Sequence, residues 1–304
     1  MKKCLIIGML VTFVFLWARA GIAADASEKT VVLTSIGAVQ AMAEVLTENT
    51  SITVMNSIPQ GYSMRGQDAY FKKHREAFFQ SAAKADAVLT VGSAWPADPL
   101  YKWARRSNIR VVNIDATRPL DEYGAGVPLV TVQGKNVPFV WRSPANMTRM
   151  GAITADDLSR LVPAEASTIK ANLKRMQSVL FRIRSKYEAA FTDLESVDIA
   201  ALTGAYTPLI DEFGLDVIAY ALKPEVEWTE NDAKGFAEQL KSGDIKAVAC
   251  AWEPDEKVRK VIVKSGAVPV VLEKFVRESD VDPIISLSNW YERNLSRLLA
   301  ALQD

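Results

Sequence analysis

One stretch constrains this chain more than any other. Ile169, Leu173, Met176, Leu180, Ile183, Tyr187, Ala190 and Leu194 recur at alternating spacings of four and three, the interval at which side chains return to one face of a helix. Lys170, Lys174, Arg182, Lys186 and Glu188 fall on the other faces. The spacing predicts one helix of about 32 residues from Pro163, roughly 48 Å long. Pro163 suits the first turn, where the N–H it lacks would have no partner.

The sequence on either side of that helix reads alike. Before it, Thr30–Thr34, Ser51–Met55, Ala87–Val91 and Arg110–Ile114 have strand composition, with helical patterns at Ala38–Leu46, Asp68–Lys84 and Pro96–Arg106 between them. Asp115–Asn136 is a loop rich in Gly, Pro and Asp, and Ser143 is placed to cap a helix ending near Leu161. After the long helix, strands are expected at Val197–Leu202, Asp216–Leu222, Ala247–Trp252 and Pro269–Leu272. Helices are expected at Thr207–Phe213, Asn231–Ser242, Asp255–Ser265 and Pro283–Gln303. Strands alternating with helices imply parallel sheets covered on both faces. The expected fold is therefore α/β with two lobes, each a four-stranded, mainly parallel sheet flanked by helices, joined by one long backbone helix. The corresponding boundaries are an amino-terminal lobe at 25–160, the linking helix at 161–195 and a carboxyl-terminal lobe at 196–304. No internal sequence repeat is visible.

The first residues read as an export signal. Lys2 and Lys3 precede an apolar run from Cys4 to Trp17, and small residues at Ala20, Gly21, Ala23 and Ala24 lead into polar sequence, the anatomy of a cleavable secretory peptide at 1–24. The run is shorter than the roughly 20 residues a spanning helix needs. A free periplasmic protein is the expected product. Its cleavage would remove Lys2, Lys3 and Arg19 from a chain with 36 basic and 36 acidic residues, leaving a mildly acidic protein with no basic stripe for nucleic acid. Cys250 would then be the remaining cysteine, set in the apolar run Ala247–Trp252, where a buried strand thiol is expected and no intramolecular disulfide can form.

Four local motifs, in order around the long helix, carry a resemblance. They are Ser57-Ile58-Pro59 with Gly61 followed by Asp68-Ala69-Tyr70 and Ala85–Leu89; Val137–Pro144; Thr203-Gly204-Ala205-Tyr206 with Phe213-Gly214-Leu215; and Trp252-Glu253-Pro254 followed by Gly266 and Val268–Glu273. The chain resembles the zinc/manganese-type solute-binding proteins of ABC importers over nearly the whole of its mature length. That resemblance implies a receptor for a small solute, partnered by an ABC permease in the inner membrane and monomeric, with no enzymatic activity and no cofactor.

The resemblance also implies where metal ligands would stand, and there the chain departs from it. Tyr70, Phe139 and Thr203 occupy the three histidine positions, and Glu273 the place of an aspartate. A phenyl ring has no lone pair, and tyrosine and threonine hydroxyls are poor donors for zinc or manganese beside imidazole, thiolate or carboxylate. His74, the single histidine, is expected to be solvated.

Two readings of these positions remain. In one, the metal site decayed and its hole was filled, leaving an accessory protein-binding subunit; a metal receptor with atypical ligands, including iron through Tyr70 or Tyr206, is a variant. In the other, the inter-lobe cleft was re-lined for a non-metal or chelated solute, with Tyr70, Phe139 and Trp141 supplying flat apolar surface, Thr203 a hydroxyl and Glu273 a carboxylate. Arg65, Arg142, Tyr206 and Lys274 are further candidates, the cations favouring an anionic group. Against this, aromatic residues are commonly core, and surface arginines and lysines are commonly just solvated. There is no phosphate-binding loop, nucleophile elbow or Ser/His/Asp set to support an enzyme.

Overall fold

The computed structural model describes residues 29–121 and 124–303; the signal segment assigned to 1–24 lies outside the described residues. In the first half the expected rhythm gives β1 (Thr30–Thr34), α1 (Gly37–Leu46), β2 (Ile52–Asn56), α2 (Gln67–Lys73), α3 (Arg75–Ala82), β3 (Ala87–Thr90), α4 (Leu100–Ala104) and β4 (Val112–Asp115). The four strands are parallel, in the order β2-β1-β3-β4. All of β3 is buried, as a strand covered on both faces requires. The single helix expected over Asp68–Lys84 is instead two, broken at His74 (φ −108°, ψ 29°). Packing explains the break: Phe71 and Phe78 meet with ring centroids 4.4 Å apart, whereas seven residues of straight helix rise about 10 Å. His74 is exposed, as expected.

The segment read as a loop contains a small hairpin, β5 (Val130–Val132) and β6 (Lys135–Val137). Its two turn residues, Gln133 and Gly134, both have positive φ (49° and 75°), the conformation that joins two strands without splaying them. Ser143 then caps α5 (Pro144–Leu161), its Oγ accepting from the Asn146 N–H at 3.0 Å. A 3₁₀ turn at Pro163–Glu165 leads into α6 (Ala166–Thr192), the long helix. Its buried stripe runs Ile169, Met176, Leu180, Ile183, Tyr187 and Phe191. Phe191 takes the inward place that strict alternation gave to Ala190, because a helix of 3.6 residues per turn drifts away from a 3.5 repeat.

The second half supplies β7 (Asp198–Ala201), α7 (Thr207–Glu212), β8 (Asp216–Tyr220), α8 (Glu230–Ser242), β9 (Ala247–Cys250), α9 (Glu256–Lys264), β10 (Val268–Val271) and α10 (Pro283–Gln303). These strands are also parallel, in the order β10-β9-β7-β8. Counted within its own half, each sheet has the order second, first, third, fourth. The architecture thus repeats where the sequence does not. Cys250 is buried on β9, and burial pushes its thiol up to about 12.

Three features fasten the lobes together. One continuous core runs from Val32 and Met42 through Met176 and Leu180 to Leu272 and Trp290. Helix α10 leaves the second sheet to lie on α1 and α6. Polar contacts then pin the junction: Tyr291 Oη donates to the Trp141 carbonyl at 2.6 Å, and Arg277 pairs with Glu44 at 2.7 Å.

Candidate functional site

Ligands of open parallel sheets gather beyond the carboxyl ends of the strands, where the strand order reverses. Here that point falls between β1 and β3 in one lobe and between β7 and β9 in the other. The residues leaving β1 (Ser35 to Ala38), β7 (Thr203, Ala205) and β9 (Ala251, Trp252) line one cavity of about 470 Å³, a volume within the range of small-molecule sites. The 56–67 segment after β2, the Phe139–Arg142 segment, and Lys274-Phe275 after β10 complete it. The hairpin packs on the β7 side: a Cβ on Gly204 would come within 3.1 Å of the Val132 side chain, a contact tight enough that a larger residue would have to push that side chain aside.

Of the residues singled out in the sequence, Phe139, Trp141, Thr203, Arg65, Arg142 and Lys274 all line this cavity. Phe139 and Trp141 meet edge to face, centroids 5.7 Å apart. Tyr70 does not line it. On α2 the inward positions are Gln67 and Phe71, so Tyr70 is turned aside against Tyr62 and His74, and Gln67 is the polar side chain this helix gives to the cavity. Glu273 is also outside the lining. Its carboxylate pairs with Arg293 (3.1 Å) and Arg297, while its backbone N–H and C=O are held by Asn294 and Trp290, all on α10. Tyr206 is fully buried behind the cavity wall, donating its hydroxyl to the Leu272 carbonyl at 2.7 Å.

Arg142 has the most unusual environment. It is 5% exposed, and among the described residues its guanidinium has no ion pair and no hydrogen bond, with Nη1 wholly buried and unpartnered. It lies instead over two aromatic rings, its guanidinium carbon 3.7 Å from the Tyr206 ring centroid and 4.4 Å from that of Phe139, both cation–π contacts. Burial lowers its pKa to about 10, with Tyr206 acting in the opposite direction; the group remains charged at neutral pH. The Tyr206 hydroxyl is pushed up by burial, against the pull of Arg142.

The loop from Asn56 to Gln67 contributes more of the lining than Arg65, the one candidate site residue singled out there from the sequence. The cue was present in Ser57-Ile58-Pro59 with Gly61, a turn set directly beyond a strand. A second recess shares Arg65, Thr203 and Trp252 with the first and contains Glu225 and Asp255. There Glu225 accepts from Trp252 Nε1 and from the Asp255 N–H, both at 2.6 Å.

Among the described residues, no group of three or more His, Cys, Asp and Glu side chains converges where a metal ion could be held, and no helix is long and apolar enough to cross a membrane. The donor set does not fit zinc or manganese. Comparison with known proteins nevertheless leads to metal receptors. A model of the ZnuA family, zinc-uptake complex component A, periplasmic, matches residues 32–301. Among solved structures, a mutant of FpvC from Pseudomonas aeruginosa superposes with a TM-score of 0.74 at 20% identity, covering 90% of this chain and 99% of that one. The metal-dependent lipoprotein YcdH of Bacillus subtilis gives 0.71 at 16%, covering 91% and 100%. A periplasmic metal binding protein of Candidatus Liberibacter asiaticus gives 0.70 at 15%, covering 90% and 100%. FpvC has also been solved in complex with Mn2+. At these identities the structural likeness speaks for the fold alone. No curated protein sequence matches the chain.

Proposed function

This chain belongs to the ZnuA family of periplasmic zinc-uptake components, and we propose that it is the solute receptor of an ABC importer whose inter-lobe cleft takes a non-metal or chelated solute. The carrying observation is the lining of the cavity. It holds Phe139 and Thr203 at two of the positions where relatives of this type would place histidine, and no Asp, Glu, His or Cys at all. A tight zinc site needs about four such donors around one ion. A site that had merely decayed would be filled by its neighbours; this one remains an open space of about 470 Å³ with apolar walls and a few polar groups, the usual make-up of an organic-ligand pocket. In this reading the solute is passed to an inner-membrane permease, and the protein carries out no chemistry on it.

Calorimetry of the chelator-stripped mature chain with zinc and with manganese tests the first half of this reading. No submicromolar site is expected for either ion; one such site for either would overturn the proposal. Trp141 and Trp252 both line the cavity, so intrinsic fluorescence against a panel of organic solutes tests the second half. A saturable change with one of them is the expected result.

A further inference from the structure

We infer that the solute of this cleft is an organic oxyanion, a carboxylate in the simplest case, seated on the unpaired guanidinium of Arg142. The inference rests on the receptor reading above and names the chemical class that reading leaves open. Its first support is charge. The cavity is lined by three cationic side chains, Arg65, Arg142 and Lys274, and by no acidic one; among the described residues none of the three has an ion-pair partner. Exposed Arg65 and Lys274 lose little by this, since water solvates them. Arg142 is different. A buried cation without a counter-ion is costly, and the rings of Phe139 and Tyr206 offer it cation–π attraction but no hydrogen-bond acceptor for its N–H groups. Nη1 has no acceptor from the protein. An oxyanion accepts two parallel N–H bonds from such a fork and neutralises it at the same time.

A helix end adds to this. Helix α1, ten residues long, begins at the cavity: Ser35, Ile36, Gly37 and Ala38 are all in the lining. Its N-cap, Ile36, has no side-chain acceptor to offer the first-turn N–H groups, which therefore present the positive end of the helix to whatever fills the space. Gln67 supplies a complementary requirement. It is 1% exposed and lines the same cavity; its Nε2 donates to the Ser35 carbonyl at 2.9 Å, and its Oε1 is buried without a partner. An orphan acceptor calls for a donor on the ligand. A hydroxy acid or an amino acid carries both an oxyanion and an O–H or N–H.

The test is calorimetry and thermal shift on the mature chain with malate, citrate, glutamate and succinate, with malamide and succinamide as uncharged counterparts, and with inorganic phosphate as a bare oxyanion. At least one carboxylate is expected to bind and its amide not to. Arg142→Gln should weaken that binding about tenfold to a hundredfold, as expected when a charged hydrogen-bond pair is lost. Arg142→Lys, which keeps the charge but loses the planar fork, should fall between. Circular dichroism of both variants establishes that they are folded. Gln67→Leu should reduce the preference for malate over succinate. Equal binding of carboxylate and amide, binding unchanged in folded Arg142→Gln, or no binding by any carboxylate or by phosphate at millimolar concentration would each overturn the inference. A tight zinc or manganese site, by contrast, would overturn the non-metal reading beneath it.

Discussion

Two short segments on the lobe junction, Phe139–Arg142 and Leu272–Phe275, each bring a charged side chain to the edge of the cavity and treat it in opposite ways. Glu273 is about one-third exposed and met by two arginines from α10. Arg142 is buried and met by none. The segments are nevertheless coupled, because Tyr206 touches both: its ring lies on Arg142 and its hydroxyl holds the Leu272 carbonyl. The difference separates a charge neutralised within the fold from one that the proposed oxyanion would neutralise. A charge that stabilises the protein is neutralised by the protein; a buried one that is not is a candidate for function.

The largest break in this comparison should come from the residue the two segments share. Tyr206→Ala removes a fully buried ring and is expected to cost about 3–5 kcal/mol in urea unfolding, together with all solute binding. Tyr206→Phe keeps the ring over Arg142 and removes only the hydrogen bond to Leu272. It should cost about 1 kcal/mol and leave binding close to wild type; a large loss of binding would show that the hydroxyl, and not the ring, matters to the site.

Glu273→Ala sharpens the other side. Its ion pairs are partly exposed, so the expected loss is only about 0.5–1 kcal/mol, and it should shrink in 1 M salt, where exposed charges are screened. Affinity for a carboxylate solute should be nearly unchanged. Arg142→Met should not destabilise the free protein, staying within about 1 kcal/mol of wild type and on the stabilising side, while abolishing the thermal shift produced by the solute. If Arg142→Met unfolds the protein as Tyr206→Ala is expected to, the arginine is structural and the contrast fails. The gross shape should change least of all. With α6 continuous and α10 lying across both lobes, scattering from free and solute-bound protein should show a slight rocking and no wide closure.

Much of the fold was legible because its signals are local. The strands fell within a residue or two of their predicted positions, and α10 at Pro283–Gln303 was read to the residue, since alternation, caps and apolar periodicity are carried by neighbours in sequence. The hairpin was missed because its strands are three residues each and its turn is Gln-Gly, a weaker signal than Asn-Gly. The break at His74 was missed because its cause is contact between Phe71 and Phe78, a tertiary effect. The site divided along the same line. Residues directly beyond strand ends, such as Thr203 and Lys274, could be placed from the motifs. The direction of Glu273 could not, because it is decided by Arg293 and Arg297 some twenty residues later. Nor could the isolation of Arg142, which is a statement about every other charge in the molecule.

The docking of α10 on α1 also has a consequence for how the molecule is made. The first helix of the fold is covered by the last, with Trp290, Tyr291, Leu295 and Leu298 all buried. Contacts between opposite ends of a chain are the slowest to form, because they close the longest loop. The amino-terminal lobe, although it precedes α10 in the chain, therefore has an incomplete core until α10 is in place. Fraying that starts at the carboxyl end is felt at once in the lobe most distant in sequence.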